Sequence, residues 1–566
     1  MVNRIITKGK NFLTEPQGSV LSAATVIMFM IVVSRILGLL RQRVLAHFFA
    51  PAELSLFFAA FRLPDLIFEV LVFGTFSSAF IPVFTKSLKN GKEEAWDTAS
   101  RVANIGLLIF LFFAILFGIF AREIYSFVAP GFSIVETEKI ASLARILFLA
   151  QAFFITSYVL TGVLESLRRF LVPALAPIFY NIGIILGTVF LAPSQELTAP
   201  AIGVVIGAFS HFAIQIPLAL KLGFRFRFSI KADDRVRKIG KLALPRIVDL
   251  SFQQVAKTVE LYLASLISTA SYTYFTFANT LQLLPVGLFG VSLAKATLPT
   301  LAHQGEDLHE FKKTLLTSLS QIVFLVSPIA AILIVLRIPL VRLIFGTDIF
   351  DWAATVETGK VLSAFAIGVV FQSAIAVLAR AFYALHDTKT PVGVSLVSIA
   401  ITVILDFILV RGLGIPVWAL AFSFSIGSIV QAIFLYYLLS KRLKDNFLSL
   451  NSLIPYGKSA VATISSALVM FFLLKFFDRS AWVKRLSFLS SIDAANIPFQ
   501  RFVLDTRYTV NLLVLTILVA TVGILVYVGI SYLLKSKELS TLVALLKRAV
   551  GPEKALPPPP TDTELI

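Results

Sequence analysis

Arg246, Asp249, Gln253, Lys257 and Glu260 follow one another at spacings of three, four, four and three residues. On a helix this places all five side chains on one face, as a continuous polar stripe. The residues around them are apolar over a helix-length stretch, so the stripe lies at bilayer depth. There an ionisable group costs several kcal/mol unless it faces a cavity or a partner. Three neighbouring stretches carry further charge: Arg35 and Arg41, with Arg43 just beyond; Arg62, Asp65 and Glu69, again on one face; and Lys295. Leaving aside the peripheral Arg43, six basic groups stand against four acidic ones. A cavity among them is net positive and suits an anionic ligand. A structural role is the alternative. Arg62 with Asp65, and Lys257 with Glu260, are spaced for local pairing at i,i+3, and Lys295 can snorkel to an interface. Arg35 and Arg41 have no carboxylate on their own helix. Arg380 and Lys475 lie outside these helices and read as structural.

The elements that carry these groups are membrane spans. The chain has 566 residues, 57% hydrophobic and 14% charged, with a mean hydropathy of +0.88. That composition excludes a water-soluble enzyme. A window of about 20 residues predicts an all-α polytopic membrane protein of about fourteen spans. Spans 1 to 7 are Val20 to Leu45, Leu54 to Phe84, Ala99 to Phe120, Ile140 to Leu164, Phe170 to Leu191, Ala201 to Leu220 and Ile239 to Ile267. Spans 8 to 14 are Tyr272 to Leu301, Leu315 to Ile344, Gly359 to Leu385, Val392 to Val410, Val417 to Leu439, Pro455 to Phe477 and Thr509 to Leu534. The first lacks a small-x-small cleavage site and leads into Ser34 and Arg35, so it reads as a span rather than a signal peptide.

The net charge of +18 raises the question of nucleic acid, and its placement answers it. Basic residues cluster in alternate loops, at Arg4, Lys8 and Lys10, at Lys86 to Lys92, Arg168 and Arg169, Lys221 to Lys241, Lys312 and Lys313, Lys441 to Lys444, and Lys535 and Lys537. The loops around Ala50, Pro193, Thr269 and Phe350 carry almost none. This pattern predicts two cytoplasmic termini and contact with anionic lipid, with no nucleic-acid partner. The chain has no cysteine, which excludes disulfides and thiolate metal sites. No P-loop, zinc motif or nucleophile elbow is visible, so neither ATP hydrolysis nor covalent catalysis has a home. We expect a transporter without a cofactor, driven by Na⁺, H⁺ or the membrane potential.

An internal repeat fixes the organisation. Val72-Phe73-Gly74 leading to Pro82 matches Leu288-Phe289-Gly290 leading to Pro299, and the connection before Pro173 matches that before Pro391, all about 217 residues apart. Because this offset spans six helices, the copies share one orientation in the membrane. The expected layout is a lobe at 1–221 (spans 1 to 6), a second at 222–444 (spans 7 to 12), and appended spans 13 and 14 at 445–535. A long external loop at 478–508 separates those last two spans. The tail, 536–566, reads as an amphipathic surface helix at 538–550 followed by a Pro-rich end.

Five motifs carry a resemblance: Ser34-Arg35-Ile36-Leu37-Gly38-Leu39-Leu40-Arg41, Phe61-Arg62-Leu63-Pro64-Asp65, Phe76-Ser77-Ser78-Ala79-Phe80-Ile81-Pro82, Val172-Pro173-Ala174-Leu175-Ala176-Pro177, and Phe382-Tyr383-Ala384-Leu385-His386-Asp387-Thr388-Lys389-Thr390-Pro391. In order and type they resemble the MurJ/MviN lipid II flippases of the MOP exporter superfamily. The resemblance implies two lobes in an inverted V, a lipid-facing groove made with spans 13 and 14, and alternating access. The implied cargo is lipid II, the undecaprenyl-diphosphate-linked peptidoglycan precursor, moved across the bacterial cytoplasmic membrane. The implied partners are that glycolipid and membrane lipids, and the chain reads as a monomer. Arg35, Arg41 and Arg62 match basic family positions. Phe68 and Thr280 stand where the family has arginines, and Phe73 where it has an acidic residue, so Arg246, Lys257 and Lys295 are the candidates for displaced cations. Asp65, Glu69, Asp249 and Gln253 would complete the cavity. Another polyprenyl-linked glycan, or a drug in a cation-coupled exporter of the same superfamily, is an alternative cargo. An exporter would have a more acidic cavity; a membrane glycosyltransferase would show an acidic pair beside a large soluble loop.

Two further acidic residues are not needed for an anionic cargo. Glu260 occupies a position where the resemblance allows an acidic ion ligand, and Asp406 lies alone in span 11. Thr402 is one turn before Asp406, and Ser423 in span 12 is within reach of both, which makes an oxygen-only set suited to Na⁺. A buried hydrogen-bond cluster with a protonated Asp406 is the other reading.

Overall fold

In the computed structural model, residues 20–73, 79–443, 450–478 and 504–550 are described, with side chains omitted at 20–28, 72–73, 245–246, 248–249, 450–451 and 545–550. The basic N-terminal cluster, most of the 478–508 loop and the Pro-rich end of the tail lie outside them. Among the described residues the chain is helical, apart from one isolated bridge between Asp478 and Leu504. A bilayer offers the backbone no hydrogen-bonding partners, and helices satisfy every N–H and C=O internally.

Among the described residues, eleven helices are long and apolar enough to cross a membrane. They are the expected spans 3 to 6 and 8 to 14. Length and composition therefore do not establish the expected total of about fourteen. The three expected spans absent from the eleven are 1, 2 and 7, which hold Arg35 and Arg41, the Arg62–Asp65–Glu69 face, and the polar stripe. Their helices are nonetheless built: Val20–Phe48 for span 1, Asp234–Ile267 for span 7, and a broken series from Pro51–Ala60 through Arg62–Phe68 to Ile81–Asn90 for span 2.

The repeat read from Gly and Pro landmarks is present in local geometry. Lys92–Ile119 and Leu308–Val335 have 28 residues each, and Ile134–Ser166 and Trp352–Ala384 have 33 each. Both 33-residue helices end on a left-handed non-glycine residue, Arg168 at φ 58° and His386 at φ 57°. Each is closed by the same 6→1 bond, from Arg169 N–H to Leu164 O at 2.8 Å and from Asp387 N–H to Phe382 O at 2.9 Å. Pro173 and Pro391 then sit in the first turn of the next helix, where a missing N–H costs nothing. Span 2 contains a π-helical turn at Glu69–Phe73 and span 8 one at Val286–Val291, again at the repeat offset.

By internal packing the chain forms two compact units. The first comprises Met1–Leu284, Arg337–Gly368 and Lys389–Gln431. Its tightest crossing joins Leu171–Gln195 to Thr198–Ala213. A Cβ at Gly183 would come within 2.4 Å of the Gly207 backbone, and one at Gly187 within 2.4 Å of Gly203. Small residues at such a seam bring two helices backbone to backbone, which supplies dispersion where lipid offers no hydrophobic drive. The second unit comprises Pro285–Leu336, Val369–Thr388 and Ala432–Ile566. In it Leu450–Phe477 packs along Thr509–Leu533, pinned by Ser466 donating to Gly523 O at 2.7 Å, and Tyr527 donates to Phe324 O at 2.8 Å. A helix spans Lys537–Val550 in the tail. Its Leu539 and Leu542 pack on Phe324, Ala462 and Tyr527.

Candidate functional site: a polar interior in the first unit

Span 2 breaks because of Pro64. A proline has no N–H to give to the carbonyl four residues back, which leaves Ala60 O unpaired within its helix. The Tyr125 hydroxyl fills the gap, donating to Ala60 O at 2.8 Å, and accepts from Leu63 N–H at 3.4 Å. The break, and the π-turn that begins at Glu69, set the directions of Arg62, Asp65 and Glu69.

These groups do not pair as neighbours on their own helices. Arg62, 5% exposed, donates to Gln254; Gln254 donates to Glu69; and Lys257 closes the row with an ion pair to Glu69 at 2.8 Å. The chain Arg62–Gln254–Glu69–Lys257 thus ties span 2 to the helix Asp234–Ile267. The expected local pair of Lys257 with Glu260 gives way to this cross-helix contact, because the π-turn brings Glu69 to the stripe. Asp65 accepts from Gln151 at 2.6 Å. Arg62 Nε is buried and without a partner among the described residues.

Arg41 and Asp65 line a cavity of about 410 Å³ with Gln42, Tyr180, Tyr272 and Thr280. Arg41 is held in place: it donates to Asn181 Oδ1 at 3.1 Å and lies over the Tyr180 ring at 5.8 Å. Arg35 is elsewhere. It is exposed and lines a second cavity of about 290 Å³ with Ser34, Glu165 and Pro173. The two matched arginines of span 1 therefore serve different spaces. Arg43 is spent on the Leu343 and Ile344 carbonyls, at 2.6 and 3.1 Å. Arg246 and Asp249 are helical, with side chains outside the described residues; Gln253 is half-buried. Lys295 is exposed and belongs to the second unit. At the two positions where the resemblance expects arginine, Phe68 packs against the Phe154 and Tyr158 rings at 5.9 and 5.5 Å, and Thr280 accepts from Gln42 at 2.8 Å.

The second acidic cluster is also in the first unit. Asp406 is 1% exposed and has one oxygen without a partner among the described residues. Ser423 reaches its carboxylate, and Glu260 is near enough to act on it electrostatically. Thr402 and Ser398 pack on Gly427, where a Cβ would land on the Thr402 hydroxyl. The Thr402 proton goes to Ser398 O at 3.0 Å, and the single Ser423 proton is shared between Ala419 O at 3.1 Å and the Asp406 carboxylate, so both hydroxyls keep lone pairs for a cation. No group of three or more His, Cys, Asp or Glu suited to a metal occurs among the described residues.

The neutral residues that organise the site, Gln42, Gln151, Asn181, Gln254 and Tyr125, are absent from the sequence reading. Their only signal is polarity within apolar helices; Gln254 lies one position off the stripe that was read.

The described residues define a helical membrane protein whose first unit contains a polar cavity, and solved structures share its fold. Over 93% of this chain and all of the other, the structure matches one described as lipid II flippase MurJ in an inward closed conformation, with TM-score 0.71 at 24% identity. An inward-facing multidrug MATE transporter of the MOP superfamily matches over 73% of this chain and 94% of its own, with TM-score 0.59 at 14% identity. The family model described as "Lipid II flippase MurJ" matches residues 44–493. A probable lipid II flippase MurJ of Thermotoga maritima is 30% identical over 398 residues, covering 69% of this chain and 80% of the relative. One from Vibrio cholerae is 29% identical over 425 residues, covering 72% and 80%. The chain belongs to the MurJ lipid II flippase family.

Proposed function

We propose that this protein flips lipid II across the bacterial cytoplasmic membrane by alternating access, with the lobes at 1–221 and 222–444 rocking about the cavity, both termini cytoplasmic, and the monomer as the working unit. Arg41 in the interior cavity carries the reading. A planar guanidinium matches diphosphate oxygens two at a time, and an anionic headgroup in a cationic, hydrated cavity avoids most of the cost of crossing hydrocarbon. The prenyl tail stays in the bilayer, along a groove at spans 13 and 14. Arg35, in its own cavity, takes the headgroup before or after Arg41. Arg62 and Lys257 hold the cavity's shape through Glu69.

The test is complementation in cells depleted of their own flippase, with a leaflet-sidedness assay for lipid II. Arg35→Ala and Arg41→Ala are expected to abolish rescue at normal membrane abundance; full rescue by both overturns the assignment. The same assay with other polyprenyl-linked glycans separates cargo classes.

Coupling is placed at Asp406, Glu260, Ser423 and Thr402. A bound Na⁺ neutralises the two carboxylates and favours one packing of the surrounding helices. Thermal stability in Na⁺ against K⁺ is expected to differ for the parent and not for Asp406→Asn with Glu260→Gln. A shift with pH alone assigns the site to protons.

A further inference from the structure

The interior cavity contains a group that a diphosphate does not satisfy. Gln42, 3% exposed, donates an amide N–H to the Thr280 hydroxyl at 2.8 Å, and that hydroxyl donates its proton to Thr276 O at 3.0 Å. A hydroxyl has one proton, so Thr280 offers Gln42 only lone pairs, and the amide turns its nitrogen towards it. Gln42 Oε1 is left without a partner among the described residues. A buried acceptor in this state lowers stability until a donor arrives. Phosphate oxygens are acceptors and bring no proton; a sugar hydroxyl or an N-acetyl N–H does.

The rest of the lining points to the same chemistry. Phe57, Phe58, Phe61, Tyr180 and Tyr272 supply aromatic surface, and Phe57 and Phe61 meet edge to face at 5.2 Å. Flat apolar rings beside a few oriented polar groups suit a pyranose, which has apolar C–H faces and a rim of donors. Asn181 and Gln151 position the charged groups of the lining, Arg41 and Asp65, and Arg41 keeps free N–H donors for the diphosphate.

We propose that Gln42, oriented by Thr280 and backed by the Phe57–Phe61 aromatic wall, is a specificity-determining subsite for the N-acetylated glycan of the lipid-linked headgroup. This rests on the flippase reading and assigns the sugar to residues distinct from the diphosphate-binding arginines. A site built to receive a donor discriminates against ligands lacking it.

The experiment measures affinities of the full chain in nanodiscs for undecaprenyl diphosphate and for the lipid-linked monosaccharide and disaccharide, in the parent, Gln42→Leu and Thr280→Val. Gln42→Leu is expected to weaken binding of both glycan-bearing lipids roughly tenfold, the worth of one hydrogen bond, with undecaprenyl diphosphate unchanged. That unchanged binding also shows that the variant is folded. Thr280→Val, which releases the amide orientation, is expected to lose part of the same discrimination. Equal loss for all three lipids, or undiminished glycan binding in Gln42→Leu, overturns the subsite and leaves the flippase reading standing. A parent that binds none of the three overturns both.

Discussion

Two charged networks hold the helix Asp234–Ile267 to the spans before it, and they differ in what surrounds them. Along the helix, Arg62–Gln254–Glu69–Lys257 joins it to span 2, with Arg62 5% exposed. At its start, Asp233 and Arg235 join Asp97 and Arg101 of Lys92–Ile119, with pairs at 2.6 to 3.4 Å and side chains 16% to 27% exposed. The second network has more ion pairs. It is nonetheless the weaker, because its side chains are part-exposed and water competes for most of their polar atoms. At the buried end of the first network, where Arg62 is 5% and Gln254 2% exposed, removing Arg62 strands its neighbours in a low dielectric, whereas the Lys257–Glu69 end is open to solvent like the second network. Exposure, more than the number of pairs, decides which network the fold depends on.

This contrast can be broken by substitution. Arg62→Ala is expected to have the largest effect, a loss of about 3–5 kcal/mol, read as a large drop in melting temperature in detergent. A drop no larger than that of Arg101→Ala would erase the distinction. The pair Glu69→Gln and Lys257→Met is expected to show a coupling of about 0.5–3 kcal/mol in a double-mutant cycle, since each alone leaves the other uncompensated. Strict additivity would mean that water already reaches this pair, whose Lys257 side chain is 43% exposed. Arg101→Ala is expected to cost about 1 kcal/mol or less, an effect that shrinks as salt is raised through 1 M.

The smallest effect is a pH dependence. Partial burial works to raise the Asp233 carboxyl, but the Val236 N–H and the Arg235 and Arg101 guanidinium groups outweigh it and hold it below the ordinary aspartate value. Its contribution is complete above the unfolded value of about 3.9 and is lost as pH falls through the lower native one. Melting curves of the parent and Asp233→Asn are therefore expected to begin approaching each other as pH falls below about 4 and to meet only below the lower native value. A gap that persists in acid would show that something other than charge carries the contribution, since asparagine keeps the N-cap bond to Val236.

Much of the architecture is determined by the sequence alone. Apolar runs of bilayer length must be helical, because only a helix pairs its own backbone in lipid. Gly74, Gly290, Pro173 and Pro391 disclosed a repeat whose π-turns and left-handed helix ends recur at that offset. The charged residues of spans 1, 2 and 7 were legible because charge inside an apolar run is costly and conspicuous. Their partners were not. A helical wheel assigns Lys257 to Glu260, whereas a proline break and a π-turn, both displacements of the backbone, bring Glu69 to it. The same rule places Arg35 and Arg41 together on one helix, yet they line separate cavities. Gln42, Gln151, Asn181 and Gln254 carry no charge and little sequence signal, and they acquire roles only from what packs against them. Periodicity reports which face of a helix is polar; which polar groups meet across helices depends on crossings and bends that only the folded chain possesses.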